Sequence, residues 1–287
     1  MVEVTSRGIR LSENQALALL WTGGLVVLGL VIACGPRPAA VPVVPMPSSP
    51  WGGNYSYSYA PPPAAARAAS VEASIAVVNP SYREVESALL DPIYTQVGKG
   101  FSTSMGVDMD KILISKGMTV KGPFASLDEI TYSDKKGSAL TLAPKVFVVT
   151  QVKYLGNFRN VRGESGVWME RDFEMSTSGW VSFVMQEPLS GEKMWLKKVE
   201  LDPVVQRGVE AYEAIPQYTT TRGLTVRTTL SGYSQGKLVY DGKVDGMADT
   251  LKQMYPIIME KCWTFIDPEE VVSLQEKGKE IRASKVY

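Results

Sequence analysis

The sequence predicts an α+β domain: a single domain with a mixed, mostly antiparallel sheet and helices packed on one side, preceded by a signal segment and a disordered linker. Three observations lead there. The periodic segments run strand, helix, several strands, then helices, which is the segregated order of α+β folds. Apolar residues make up 45% of the chain and charged residues 21%, enough for a core once the leader is set aside. An apolar run near the N-terminus ends at Cys34 and is followed by a Pro/Ala/Ser/Tyr-rich stretch. The expected boundaries are 1–33 for a lipoprotein signal peptide, 34–70 for a tether and 71–287 for the domain.

The leader carries Arg7 and Arg10 against Glu3 and Glu13, and its apolar run extends from Ala16 to Ala33. Val31-Ile32-Ala33-Cys34 has the order of a lipoprotein signal: branched residue, spacer, small residue, cysteine. Ala33 fits before the scissile bond, and the Cys34 thiol is the nucleophile that takes a diacylglycerol. The run is also just long enough to span a bilayer, so an uncleaved anchor is the alternative. Pro36, Pro38 and Pro42 exclude a buried core helix there. Gly35 to Ser70, with Tyr55-Ser56-Tyr57-Ser58-Tyr59 and Pro61-Pro62-Pro63, reads as a flexible stalk, because such a composition buries too little apolar surface to offset its ordering entropy. As polyproline II it would reach on the order of 100 Å.

Within the domain, Ile75 to Val78 is a short apolar run closed by Asn79-Pro80, the pattern of a buried strand. From Asp91 to Lys116, Val97, Phe101, Met105, Met109, Ile112 and Leu113 recur at helical spacing, weakened locally by Gly98, Gly100 and Gly106; Gly117 is the expected C-cap. Met118 to Val120 resumes as strand. Ser126 to Glu129 has the form of a capping box. Ala139–Leu142 and Val146–Val152 read as strands, the second central. Lys153 to Asp172, polar and holding Gly156, Gly163 and Gly166, reads as a long loop. Trp180–Gln186 and Lys193–Leu201 form a hairpin. Leu224–Leu230 and Lys237–Tyr240 are weaker strands. Met247, Leu251, Met254, Tyr255, Ile258, Cys262, Phe265 and Ile266 share one helical face, which Pro256 should kink. Asp267-Pro268-Glu269-Glu270 starts a last, charged helix.

The chemistry is defined largely by what is missing. The chain has no histidine, which removes Ser-His-Asp and Cys-His catalysis and every His-based metal site. Thirty basic and thirty acidic residues leave no excess for nucleic acid. Gly232-Tyr233-Ser234-Gln235-Gly236 matches G-x-S-x-G, but a strand follows where the nucleophile elbow needs a helix, so it reads as a turn. The acids Asp108 and Asp110 do not share a helical face, and Glu269-Glu270 serve a helix start, so no metal or other cofactor is expected. With Cys34 lipidated, Cys262 has no partner for an intramolecular disulfide and reads as a buried small residue beside Trp263. No catalytic residues are expected. The one candidate ligand-contact set is Lys153, Arg159 and Arg162, interleaved with Tyr154 and Phe158, which could grip an acidic glycan or headgroup from a loop.

Several segments, taken in order, resemble a known family. They are Ile75–Val78 followed by Pro80 and Tyr82; Asp110-Lys111-Ile112-Leu113-Ile114-Ser115-Lys116-Gly117-Met118-Thr119-Val120; the Ser133–Gly137 turn; and Gly179-Trp180-Val181-Ser182-Phe183-Val184-Met185-Gln186-Glu187-Pro188-Leu189-Ser190-Gly191-Glu192. Together these resemble the neuraminyllactose-binding haemagglutinin family of Gram-negative envelope lipoproteins, over roughly Val71 to Lys279. The resemblance implies a lipidated cysteine, an envelope location and an adhesive role. The family's Lys/Arg-rich run has no counterpart in Val152-Lys153-Tyr154-Leu155-Gly156-Asn157, so its sugar-site residues are not carried over. The expectation is an outer-membrane lipoprotein, membrane-bound through its lipid, acting as a non-catalytic binding module or adhesin, with an envelope-assembly component as the alternative. Gly35 after the cysteine, where Asp would favour inner-membrane retention, points to the outer membrane.

Overall fold

In a computed structural model the described residues are 44–63, 72–84, 92–163, 166–221, 224–227 and 233–285. The signal segment, Cys34 and the tether up to residue 43 lie outside them. Strands β1 (Ser74–Val78), β2 (Ser81–Glu84), β3 (Thr119–Phe124), β4 (Leu140–Leu142), β5 (Lys145–Tyr154), β6 (Arg159–Gly163), β7 (Gly166–Gln186), β8 (Lys193–Pro216) and β11 (Tyr233–Asp241) form one mixed sheet. Its path is β11-β8-β7-β4-β1-β3; β5 joins β7 and β2, and β6 joins β7. A separate pair is made by β9 (Tyr218–Thr221) and β10 (Leu224–Arg227). The β1–β3, β1–β4 and β2–β5 pairings are parallel and the others antiparallel.

The long polar loop expected over Lys153–Asp172 is instead strand. β5 continues to Tyr154, β6 forms a hairpin with β7, and β7 begins at Gly166. β7 and β8 are 21 and 24 residues long and pair along most of that length. The cause is visible in the alternation. Phe173, Met175, Val181, Phe183 and Met185 of β7, with Val146 and Val148 of β5, face the helices and are buried. Between them stand Asp172, Glu174, Ser176 and Ser178, the polar face of the sheet, turned away from the described helices.

The helices are α1 (Pro92–Ser115), α2 (Tyr132–Lys136), α3 (Gly242–Phe265) and α4 (Pro268–Ser284). Residue Gly117 ends α1 with φ +84°, a left-handed cap that glycine takes without Cβ strain, while the Met118 N–H closes back on the Leu113 carbonyl. The expected capping box is not made: Glu129 accepts from the Ala125 N–H, one residue before the N-cap, and the Ser126 side chain caps nothing. α3 runs on through Pro256 as one element. Asp267 caps α4 through the Glu269 N–H with Pro268 in the first turn, as the sequence predicts. α1 and α3 lay Phe101, Met105, Met109, Met254, Tyr255, Ile258 and Cys262 into one core with the sheet.

The tether was expected to run to Ser70 as a stalk; residues 44–63 correct this. They form a strap laid along α1 and α3. Tyr55 and Tyr57 are buried, and Tyr57 stacks on Tyr255 at 5.5 Å and meets the edge of Phe101 at 5.4 Å. The Tyr57 N–H donates to Ser104 Oγ (3.0 Å) and the Tyr59 N–H to Asp108 (2.7 Å), while Trp51 Nε1–H donates to Asp249 (3.2 Å). Where α1 carries Gly100, a Cβ would sit 1.9 Å from the Tyr55 carbonyl oxygen. The contacts therefore run Tyr55–Gly100, Tyr57–Ser104, Tyr59–Asp108. Two residues of extended chain advance about 6.5 Å and four of α-helix about 6 Å, so the Tyr-x-Tyr-x-Tyr repeat keeps step with one helical turn.

Candidate binding surface

The structure places the three basic residues singled out in the sequence along one arm of the sheet rather than together. Lys153 lies opposite Glu174, Arg159 opposite Glu170 and Arg162 opposite Val167. Seven residues of β7 separate the first level from the last, about 23 Å. Arg159 is taken up by carboxylates, Glu170 at 2.7 Å and Asp172 beside it, which push its pKa up. The pairing register sets Lys153 and Arg159 on the face that carries no helix among the described residues, the helix-free face below, whereas Arg162 is on the other.

The interleaved aromatics go elsewhere. Tyr154 and Phe158 gather with Tyr212 around Arg171, whose guanidinium lies 3.7 Å from the Tyr154 ring and 5.3 Å from that of Phe158. Beside it, the buried Glu210 accepts from Tyr154 (3.3 Å), Tyr212 (3.0 Å) and Lys243. Burial, then the neighbouring Glu210, pushes the Tyr212 hydroxyl up to about 12. For Lys243 burial works against the charge, but Glu210 and Asp241 outweigh it and raise the pKa. Arg171 sat within the segment read as loop, so nothing marked it as facing the rings. Glu210 spends its oxygens on three donors, which makes this cluster a structural network.

The helix-free face offers more to a partner. Across it run two rows of paired residues, Arg83–Phe147–Trp180–Glu200 and Ser81–Lys145–Ser182–Lys198. Phe147 and Trp180 stack at 5.3 Å with planes 13° apart, and Lys198 Nζ lies 5.0 Å from the Trp180 ring. Lys145, Gln151, Lys153 and Lys198 are exposed, and Leu196, opposite Val184, is 60% exposed. A planar aromatic pair edged by ammonium groups suits an anionic, flat or headgroup-like partner.

The residues that the sequence raised for bond-making chemistry take structural positions. Ser234 lies within β11, opposite Ile215, so the described residues of the G-x-S-x-G match are strand rather than the turn the sequence predicts. Cys262 is fully buried in the core beside Trp263, and burial raises its thiol pKa, which keeps it a thiol. Among the described residues no three cysteine or carboxylate groups come together as a metal site, and no helix is long and apolar enough to cross a membrane.

No family model matches the chain, and no curated protein matches it. Solved structures do. One is a neuraminyllactose-binding hemagglutinin homolog from Helicobacter pylori, 13% identical over 77% of this chain and 98% of that one, with a TM-score of 0.47. Another is a PelC dodecamer from Paraburkholderia phytofirmans, 12% identical over 48% of this chain and 74% of that one, TM-score 0.23. A third is a lipoprotein from Neisseria meningitidis, 13% identical over 45% of this chain and 79% of that one, TM-score 0.23. The first carries the name of the family that the motifs of this chain resemble.

Proposed function

We propose that this chain is an outer-membrane lipoprotein whose domain is a tethered, non-catalytic binding module of the bacterial envelope. The observation that carries the reading is Cys34, placed after an apolar run and a small residue, with Gly35 behind it. The histidine-free composition, the strand position of Ser234 and the sealed Cys262 support binding over catalysis. Metabolic labelling with an alkyne fatty acid, followed by membrane fractionation, tests it. The wild-type protein should carry the label and fractionate with the outer membrane, and Cys34→Ala should lose both. An unlabelled wild type would overturn the lipoprotein reading.

One observation favours an envelope-assembly role over adhesion. Because the strap binds the domain from residue 44, only residues 35–43 separate it from the lipidated cysteine. Nine residues reach about 33 Å at most. That holds the domain near its membrane, where an assembly partner is in range and a distant host surface is not. Crosslinking in intact cells should yield envelope proteins as partners. Protease shaving of whole cells together with binding to an array of acidic glycans would instead support the adhesin.

A further inference from the structure

We propose that the helix-free face of the sheet, from Lys145 to Lys153 on β5 and across to Lys198 on β8, lies against an anionic phospholipid surface. The inference rests on the lipid-anchor reading and adds an orientation to it.

The first argument is where the tether leaves. Gly163 and Trp168 point to the helix-free face, since Gly163 pairs with Gly166 and Val161 with Trp168. A Cβ on Gly163 would sit 2.3 Å from the Val44 carbonyl oxygen and 2.4 Å from the Trp168 ring. The first described residue of the strap is therefore on that face. The second argument is length. The tether spans about 33 Å at most, whereas 21 residues of β7 extend about 70 Å. A domain longer than its leash, attached at one end of its two long strands, either stands on that end or lies down.

The third argument is the chemistry, which favours lying down. Lys145 and Lys153 are exposed on this face and have no carboxylate within ion-pair distance among the described residues. Within the patch from the level of Glu174 to that of Ser182, Glu200 is matched by Lys198 at 2.6 Å and Glu174 by Arg207 at 3.1 Å, while Glu170 and Asp172 beyond it share Arg159. The patch therefore keeps Lys145 and Lys153 as unmatched positive charge. Stacked Phe147 and Trp180, with exposed Leu196, supply the amphipathic and apolar groups that settle at headgroup depth, while lysine stems extend their ammonium groups to phosphate. Each cation near an anionic leaflet adds about fivefold in affinity.

The test uses the acylated full-length protein reconstituted in vesicles. Cys34 is blocked by its lipid and Cys262 is buried, so an introduced cysteine is the reactive thiol. A nitroxide is placed at Gln151→Cys on the open face or at Glu276→Cys on α4, and collision with a water-soluble nickel chelate is measured. On vesicles containing phosphatidylglycerol, the Gln151→Cys label should be at least about fivefold less accessible than the Glu276→Cys label. Pure phosphatidylcholine, or the Lys145→Gln/Lys153→Gln/Lys198→Gln variant with an unchanged melting temperature, should bring the two together. Equal accessibility on anionic vesicles, or protection that survives removal of the charges, overturns the proposal. The mass of the Cys34 peptide reports acylation separately, so loss of the anchor and loss of the orientation give different results.

Discussion

Asp108 shows how much one side chain holds in this molecule. It is 1% exposed and accepts from the Tyr59 N–H, the Tyr255 hydroxyl (2.6 Å) and the Lys111 ammonium (2.6 Å). In the sequence it looked like half of an acidic pair; its two distant partners lie 49 and 147 residues away, beyond any local pattern. Asp108→Ala leaves buried donors unpaired and should cost about 3 kcal/mol in urea unfolding. Glu187 is the counterpart at the hairpin. Burial opposes its charge, but the Ser190 N–H, the Arg282 guanidinium and the Leu189 N–H outweigh burial and hold its carboxyl below the ordinary range. Its contribution is therefore complete above the unfolded value near about 4.3 and is lost as pH falls through the lower folded value. Glu187→Gln should lose about 2 kcal/mol at pH 7, and urea midpoints should show the gap to wild type closing below pH 4. Cys262 should resist maleimide in the native protein and react once denaturant unfolds it.

At the scale of elements, the helices and short buried strands were legible because apolar spacing and caps are local signals. Two elements were not. The ends of β5 and β7 alternate correctly, but their outward residues are charged and the hairpin is glycine-flanked, so composition hid the period. The strap was hidden for a different reason. Its tyrosines bury themselves in a groove made by α1 and α3, and a tyrosine-serine repeat alone cannot show that a groove exists. The cue was in α1, where Gly100 weakens a helix without a local reason; its reason is the Tyr55 carbonyl oxygen 1.9 Å from where a Cβ would be. Gly100→Ala raises helix propensity yet should lift the strap. Proteolysis within residues 44–63 should accelerate severalfold while far-ultraviolet circular dichroism stays unchanged. Tyr57→Ala, which empties a stack between Tyr255 and Phe101, should destabilise the fold by about 3 kcal/mol in thermal or urea unfolding.

For the whole molecule, the layer arrangement was legible in the sequence, whereas the packing of residues 44–63 against α1 and α3 was not. The stalk expected over 36 residues is shortened by the docking of residues 44–63. Local concentration at the leaflet falls roughly as the −3/2 power of tether length. Inserting twenty Gly/Ser residues after Gly35 should therefore weaken engagement of the open face about sixfold, read from nickel access at Gln151→Cys. The strap also has a mechanical consequence. It runs parallel to α1, with its hydrogen bonds and rings spaced turn by turn along that axis. On the proposed lipid anchor, tension on the acyl chains would enter at Val44 and meet these contacts in shear, several at once, before any of it reached β1. The strap would then act as a fuse in series with the anchor, yielding first and lengthening the leash while the sheet stays folded.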